Sequence, residues 1–166
     1  MEKQKRSPAK KAQAPRINIQ IGARYAEKVK PALLRKTAQA TLDQQRVKHR
    51  VELTIVITGN AQLRALNRTF RNVDAPTDVL SFATTDHLQP DTLYLGDVVI
   101  SYPTAQEQAK AGGHPVEAEV QLLVVHGVLH LLGHDHYTEA EKNVMWKAQA
   151  ATLKKIGAAL TKPKLG

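Results

Sequence analysis

HGVLHLLGHDH, residues 126–136, is the stretch on which the reading of the whole chain turns, because it packs four of the protein's seven histidines into one apolar run. His126 and His130 stand four residues apart. On a helix they share one face about one turn from each other, close enough to grip a single ion. Gly133 offers a left-handed helix terminus, after which the chain can double back and carry His136 toward the same point as a third ligand. Three neutral imidazoles suit zinc, one ion per chain. Three protein ligands also leave a fourth tetrahedral position for water or substrate, the arrangement of a catalytic zinc rather than a closed structural one. A lone histidine on an apolar helix is usually a satisfied core residue, but several in so short a run would each need a partner when buried.

Working outward, Pro115 opens the helix that carries this stretch. Val116, Val120, Leu123, Val124, Val128, Leu131 and Leu132 make it apolar nearly all round, the mark of a buried central helix. Downstream, Thr138 and Glu141 form a capping box for a final helix bearing Val144, Met145, Ala148 and Leu153, which fades before Pro163. Upstream, Ile17, Ile19 and Ile21 alternate as a strand, Pro31 to about Gln44 has helical spacing, and Val51, Leu53, Ile55 and Ile57 alternate again as a central strand. Asn60 is read as the N-cap of a short helix through Leu63, Leu66 and Phe70. Strands follow at Val79–Thr84 and Leu93–Ser101, antiparallel across a loop at Asp86–Asp91, and then a helix over Tyr102–Ala111. These elements predict one α/β domain over residues 17–160, a mixed sheet of about four strands packed by helices, with the zinc helix central and lining a cleft.

The chain has 166 residues and no cysteine, so disulfides and thiolate zinc sites are excluded and histidine must carry any such metal chemistry. No apolar run reaches the length of a membrane span, and the absence of cysteine fits a reducing cytoplasm. Net charge is +9, and residues 1–16, with six Lys or Arg against one Glu, supply more than half of it. That segment lacks apolar periodicity and is read as a disordered basic arm ahead of a mildly basic body. A polyanion such as RNA is a natural partner. With two Phe, one Trp and four Tyr, an extended base-stacking platform is not expected, and contact should run mostly through phosphate.

The order HxxxHxxGxxH also resembles the zinc pattern of metzincin-like proteases, and Met145 falls downstream, where such folds set a methionine under the metal. Position 127 departs from that pattern. A zinc protease needs a glutamate there to take a proton from water, and Gly127 has no side chain. Met145 reads equally as core filler.

Taken with NRTFRNVDAPTDVLSF at residues 67–82 and LGDVVIS at residues 95–101, the histidine stretch makes the chain resemble the bacterial YbeY family over residues 17–156. The resemblance implies a zinc-dependent, single-strand-specific endoribonuclease of ribosomal RNA maturation and ribosome quality control. It implies single-stranded RNA, ribosomal RNA and ribosomal particles as partners, a cytoplasmic location and no membrane. His126, His130 and His136 are then the zinc ligands and Arg71 the functional arginine beside the metal. A guanidinium there makes chemical sense by itself, since it pairs bidentately with a phosphodiester; otherwise it is a solvated loop arginine.

Around these residues the sequence leaves alternatives. Asp74 and Asp78 cap turns or orient Arg71. His134 and Asp135 hold a ligand's second nitrogen or relay a proton, and Asp135 competes with a zinc hydroxide and a substrate phosphate for the role of base. Asp97, a charge inside an apolar strand, joins a hydrogen-bond network or points to the cleft. His49, His87 and His114 read as surface histidines. Two other functions stand beside the nuclease: a ribosome-assembly or RNA-binding factor whose zinc only fastens the last loop to the helix, and a zinc peptidase.

Overall fold

A computed structural model describes residues 14–84, 87–89 and 91–160. Most of the basic arm therefore lies outside the described residues, while Arg16, assigned to the arm from sequence, is the first residue of a strand. The elements are β1 (Arg16–Ile21), α1 (Pro31–Gln44), β2 (Arg50–Thr58), α2 (Asn60–Arg71), β3 (Val79–Ala83), β4 (His87–Gln89), β5 (Thr92–Ser101), α3 (Tyr102–Gly112), α4 (Val116–Leu131) and α5 (Glu139–Ile156). The sheet runs β1-β2-β5-β3, with β1, β2 and β5 parallel and β3 antiparallel to β5. The expected mixed sheet is thus present. The segment read as a loop after β3 contains the short strand β4, paired with the start of β5.

Alternation sorts the strand residues between two layers. Val51, Leu53, Ile55 and Ile57 of β2, with Val98 and Ile100 of β5, face one core shared with Leu34 and Ala38 of α1 and Val120, Val124 and Val128 of α4. Each such valine, leucine or isoleucine side chain, fully removed from water, contributes about 1.5–3 kcal/mol. On the other face Leu80 and Val99 pack against Leu63 of α2, with Val56 and Phe82 at the margin. Behind α4, Met145 and Leu153 of α5 close on Leu122, Val125 and Leu129. Met145 is fully buried in that cluster, which is the core-filler reading.

Several local expectations change. Asn60 is the first residue of α2 rather than its cap, and its Oδ1 accepts hydrogen bonds from Ser101 and Thr104, tying α2 to the start of α3. Asp97 resolves as a network: its Oδ1 accepts from Tyr94, whose hydroxyl also bonds Thr54 at 2.7 Å. Burial and the hydrogen bond to Asp97 push the Tyr94 phenol up to about 12. His114 is not a surface histidine. Its Nε2 lies 2.6 Å from Glu119 Oε2, and the two side chains are 5% and 0% exposed. The turn between α3 and α4 folds it back against the first turn of α4, a contact that sequence spacing does not announce. His49 is exposed as expected, and the side chain of His87 lies outside the described residues.

Two glycines set the distances between layers. Gly96 has φ +132, and a Cβ there would come within 2.0 Å of the Phe82 carbonyl oxygen, so the irregularity opposite Glu52 and Leu53 requires glycine. Gly127 lets α4 press onto the sheet, since a Cβ would stand 2.4 Å from Val98 Cγ1. Gly127→Ala is expected to lower unfolding stability by about 1–3 kcal/mol, the cost of overpacking. Urea denaturation checks this, and adding Val98→Ala should recover part of the loss.

Candidate metal centre

Packing of α4 between the sheet and α5 leaves His126 and His130 half-buried on the one side of the helix that meets a cleft. The helix then stops through its expected glycine: Gly133 has φ +96, its N–H donates to the His130 carbonyl, and His134 N–H donates to the Leu129 carbonyl. The returning chain carries His136 over the pair. One nitrogen from each of His126, His130 and His136 falls within 4.8 Å of the others. Ring centroids are separated by 4.6 Å between His126 and His130, 5.2 Å between His130 and His136, and 5.9 Å between His126 and His136.

The outer nitrogens of the helical pair are held by oxygens. His130 Nδ1 lies 2.9 Å from the His134 carbonyl oxygen. A carbonyl only accepts, so Nδ1 carries the hydrogen and Nε2 turns a lone pair toward the other two rings. His126 Nδ1 lies 3.1 Å from Gln149 Oε1, and the two Nε2 atoms face each other at 3.1 Å. Both rings are kept neutral, the form that coordinates a metal. Burial, reinforced by repulsion from His126 and His136, holds His130 down to about 4. Burial likewise lowers His126, against partial opposition from its bond to Gln149 and the charge of Asp78. Three imidazole nitrogens so arranged form a donor set that fits zinc.

His134 and Asp135, between His130 and His136, both bear on the loop that returns the chain to the helix. The His134 backbone, not its ring, holds His130, while its imidazole Nε2 reaches Gln45 Oε1 at 2.6 Å. Asp135 Oδ1 accepts from the His136 N–H at 2.9 Å and so shapes the return of the chain. Gln149 was not singled out in the sequence, although a glutamine four residues from both Met145 and Leu153 sits on the buried stripe of α5 and is 6% exposed. Such oxygen partners orient a metal-binding imidazole and raise its basicity. Gln149→Leu, similar in size, is expected to weaken metal affinity about 10–100-fold with the fold kept, measured by competition with a chromophoric chelator.

Arg71 arrives from the opposite layer. It is the last residue of α2, which Asn72 terminates with φ 55, and it lines a cleft of about 410 Å³ together with His126, His130, His136, Ser81 and Tyr137. Asp74 does not orient it. That carboxylate takes both bonds from Arg64, at 2.8 and 3.1 Å, and the hydrogen bonds and charge of Arg64 hold its carboxyl pKa below the usual carboxylate range. Asp78 accepts from the Val79 N–H and from Gln108, fixing the start of β3 at the cleft edge. The two ion pairs found among the described residues are Arg64–Asp74 and His114–Glu119, so Arg71 keeps its charge for whatever enters the cleft.

A mixed α/β domain whose buried central helix and its returning loop offer three imidazoles to an arginine-edged cleft has a donor set that could hold a metal ion. The chain belongs to the Endoribonuclease YbeY family, whose sequence model matches residues 18–157. It is 41% identical to the Endoribonuclease YbeY of Dehalococcoides mccartyi strain CBDB1, a match covering 84% of this chain and 92% of that one. It is 46% identical to that of Roseiflexus sp. strain RS-1, over 72% of this chain and 79% of the relative. The solution structure of TM1509 from Thermotoga maritima shares the fold, with a TM-score of 0.58 at 23% identity, covering 84% of this chain and 88% of that one. No helix among the described residues is long and apolar enough to cross a membrane.

Proposed function

We propose that this protein is a zinc-dependent endoribonuclease that cuts single-stranded RNA during ribosomal RNA maturation and ribosome quality control in the cytoplasm. The domain that begins with β1 at Arg16 and runs to residue 160 is its catalytic domain, and the basic arm ahead of it adds affinity for RNA and ribosomal particles. The observation that carries the reading is the convergence of His126, His130 and His136, with the lone pair of His130 directed inward, in the same cleft that Arg71 lines. The three histidines would hold one zinc ion per chain. Bound there, zinc supplies Lewis-acid stabilisation and makes water acidic enough, near pKa 7, to attack at neutral pH.

The chain's own groups supply the rest. Arg71 binds the scissile phosphodiester and opposes the charge that grows on its oxygens. Asp135 and Asp78 are carboxylates lining the cleft that are able to take a proton. A peptidase reading finds little support. A side chain at position 127 would run into Val98 and Ser81 of the sheet, so the site has neither the glutamate nor open space for one there.

The test compares protein stripped by a chelator with the same protein restored by one equivalent of zinc. Cleavage of a single-stranded RNA is expected to fall at least 100-fold on stripping and return with zinc, while a duplex of the same sequence stays intact. Cleavage indifferent to the metal, or equal on the duplex, overturns the reading. Casein-type substrates are expected to survive throughout.

A further inference from the structure

The cleft does not end at the histidines. Beyond them lies a second, smaller lobe of about 190 Å³, sharing Asp78, Val79, His126 and His136 with the first and walled by Leu122, Leu123 and Trp146. The two lobes differ in chemistry. The first is lined mainly by charged and polar side chains, whereas the second offers aliphatic walls and the chain's single indole. The Trp146 ring lies 6.0 Å from His126 and 5.9 Å from His136, so a group in this lobe is immediate neighbour to the metal centre. The Lys142 ammonium stands 5.9 Å from the centre of the indole, placing a positive charge beside that ring. The indole N–H itself is buried with no acceptor among the described residues.

We infer that the second lobe is a nucleobase subsite, in which an unpaired base next to the scissile phosphate lies against Trp146. The inference rests on the nuclease reading above. A flat aromatic group is the ligand such a lobe fits, its face covered by the indole and the leucines. The adjoining phosphates then fall between Arg71 in the first lobe and Lys142 beside the second. Selectivity for single strands follows, since a base held in a duplex cannot leave its stack to enter the lobe without a cost in pairing and stacking. The low aromatic content argues against an extended stacking surface, and one indole placed beside the metal provides a single stacking position instead.

The experiment uses the fluorescence of Trp146 in the zinc-loaded, full-length protein. The probe is a 2′-O-methyl tetranucleotide whose integrity is checked afterwards. Saturable quenching is expected with the single strand, about tenfold weaker apparent affinity with an abasic analogue, and no quenching with a duplex. In a parallel cleavage assay Trp146→Leu should raise KM for the intact RNA and erase the difference between intact and abasic substrates, with kcat and zinc content little changed. Metal-dependent cleavage without any quenching, or equal quenching by abasic and intact strands, overturns the subsite while the nuclease reading stands. Quenching by a hydrophobic peptide that the protein then hydrolyses overturns both, and so does the absence of cleavage together with the absence of binding.

Discussion

His130→Ala is expected to leave the purified protein with less than a tenth of the metal that the unchanged chain carries, and with no measurable RNA cleavage. Among the three histidines, His130 is the one whose state is best defined: its Nδ1 hydrogen is committed to the His134 carbonyl, and burial keeps its inner nitrogen unprotonated. Removing it leaves one half-buried and one exposed imidazole, too few to hold zinc against solvent and chelators. Elemental analysis of the alanine series checks the assignment. His126→Ala and His136→Ala should lose metal similarly. His134→Ala should keep it, because the group that His134 lends to the site is a backbone carbonyl, which the substitution retains. Loss of metal in His134→Ala with retention in His136→Ala would overturn the ligand set.

Arg71→Ala should show the opposite separation. Zinc content and melting temperature are expected to remain, since the residue is exposed at the end of α2 and takes part in neither ion pair of the described chain. Cleavage of single-stranded RNA should fall by about 100–1,000-fold, the usual loss when a preorganised donor to a developing oxyanion is removed. A fall confined to kcat would assign Arg71 to the transition state; a rise in KM alone would assign it to substrate binding. Arg71→Lys should recover only part of the rate, because an ammonium cannot make the paired, planar contact of a guanidinium. If Arg71→Ala and the triple-histidine variant cut RNA as fast as the unchanged protein, the nuclease reading fails, and a zinc that merely fastens the last loop becomes the better account.

Much of this architecture is legible in the sequence. Alternating isoleucines and valines marked β1 and β2, and the four-residue spacing of His126 and His130 put two imidazoles on one helical face, because both patterns arise from the period of the backbone itself. Gly133 announced the turn that brings His136 back, since a positive φ at a helix end selects glycine. The Thr138 cap was equally readable: its Oγ1 accepts from the Glu141 N–H at 3.1 Å. Local chemistry also explains the weaker readings. Asn60 has the side chain of a cap, yet Ser101 and Thr104 compete for its oxygen from a segment about forty residues away.

What the sequence determined by itself is therefore the set of elements apart from β4, and the pairing of two histidines, properties carried by short periodic windows. Only the tertiary structure decided that Gln149 of α5 steadies His126, that Asp74 binds Arg64 and leaves Arg71 to the cleft, that His114 is buried against Glu119, and that Gly127 marks the closest approach of α4 to the sheet. Each of these depends on which faces meet when separate elements pack. A carboxylate, amide or imidazole can satisfy its hydrogen bonds with many partners, and residue type alone does not choose among them. The choice is made by distance in the folded chain.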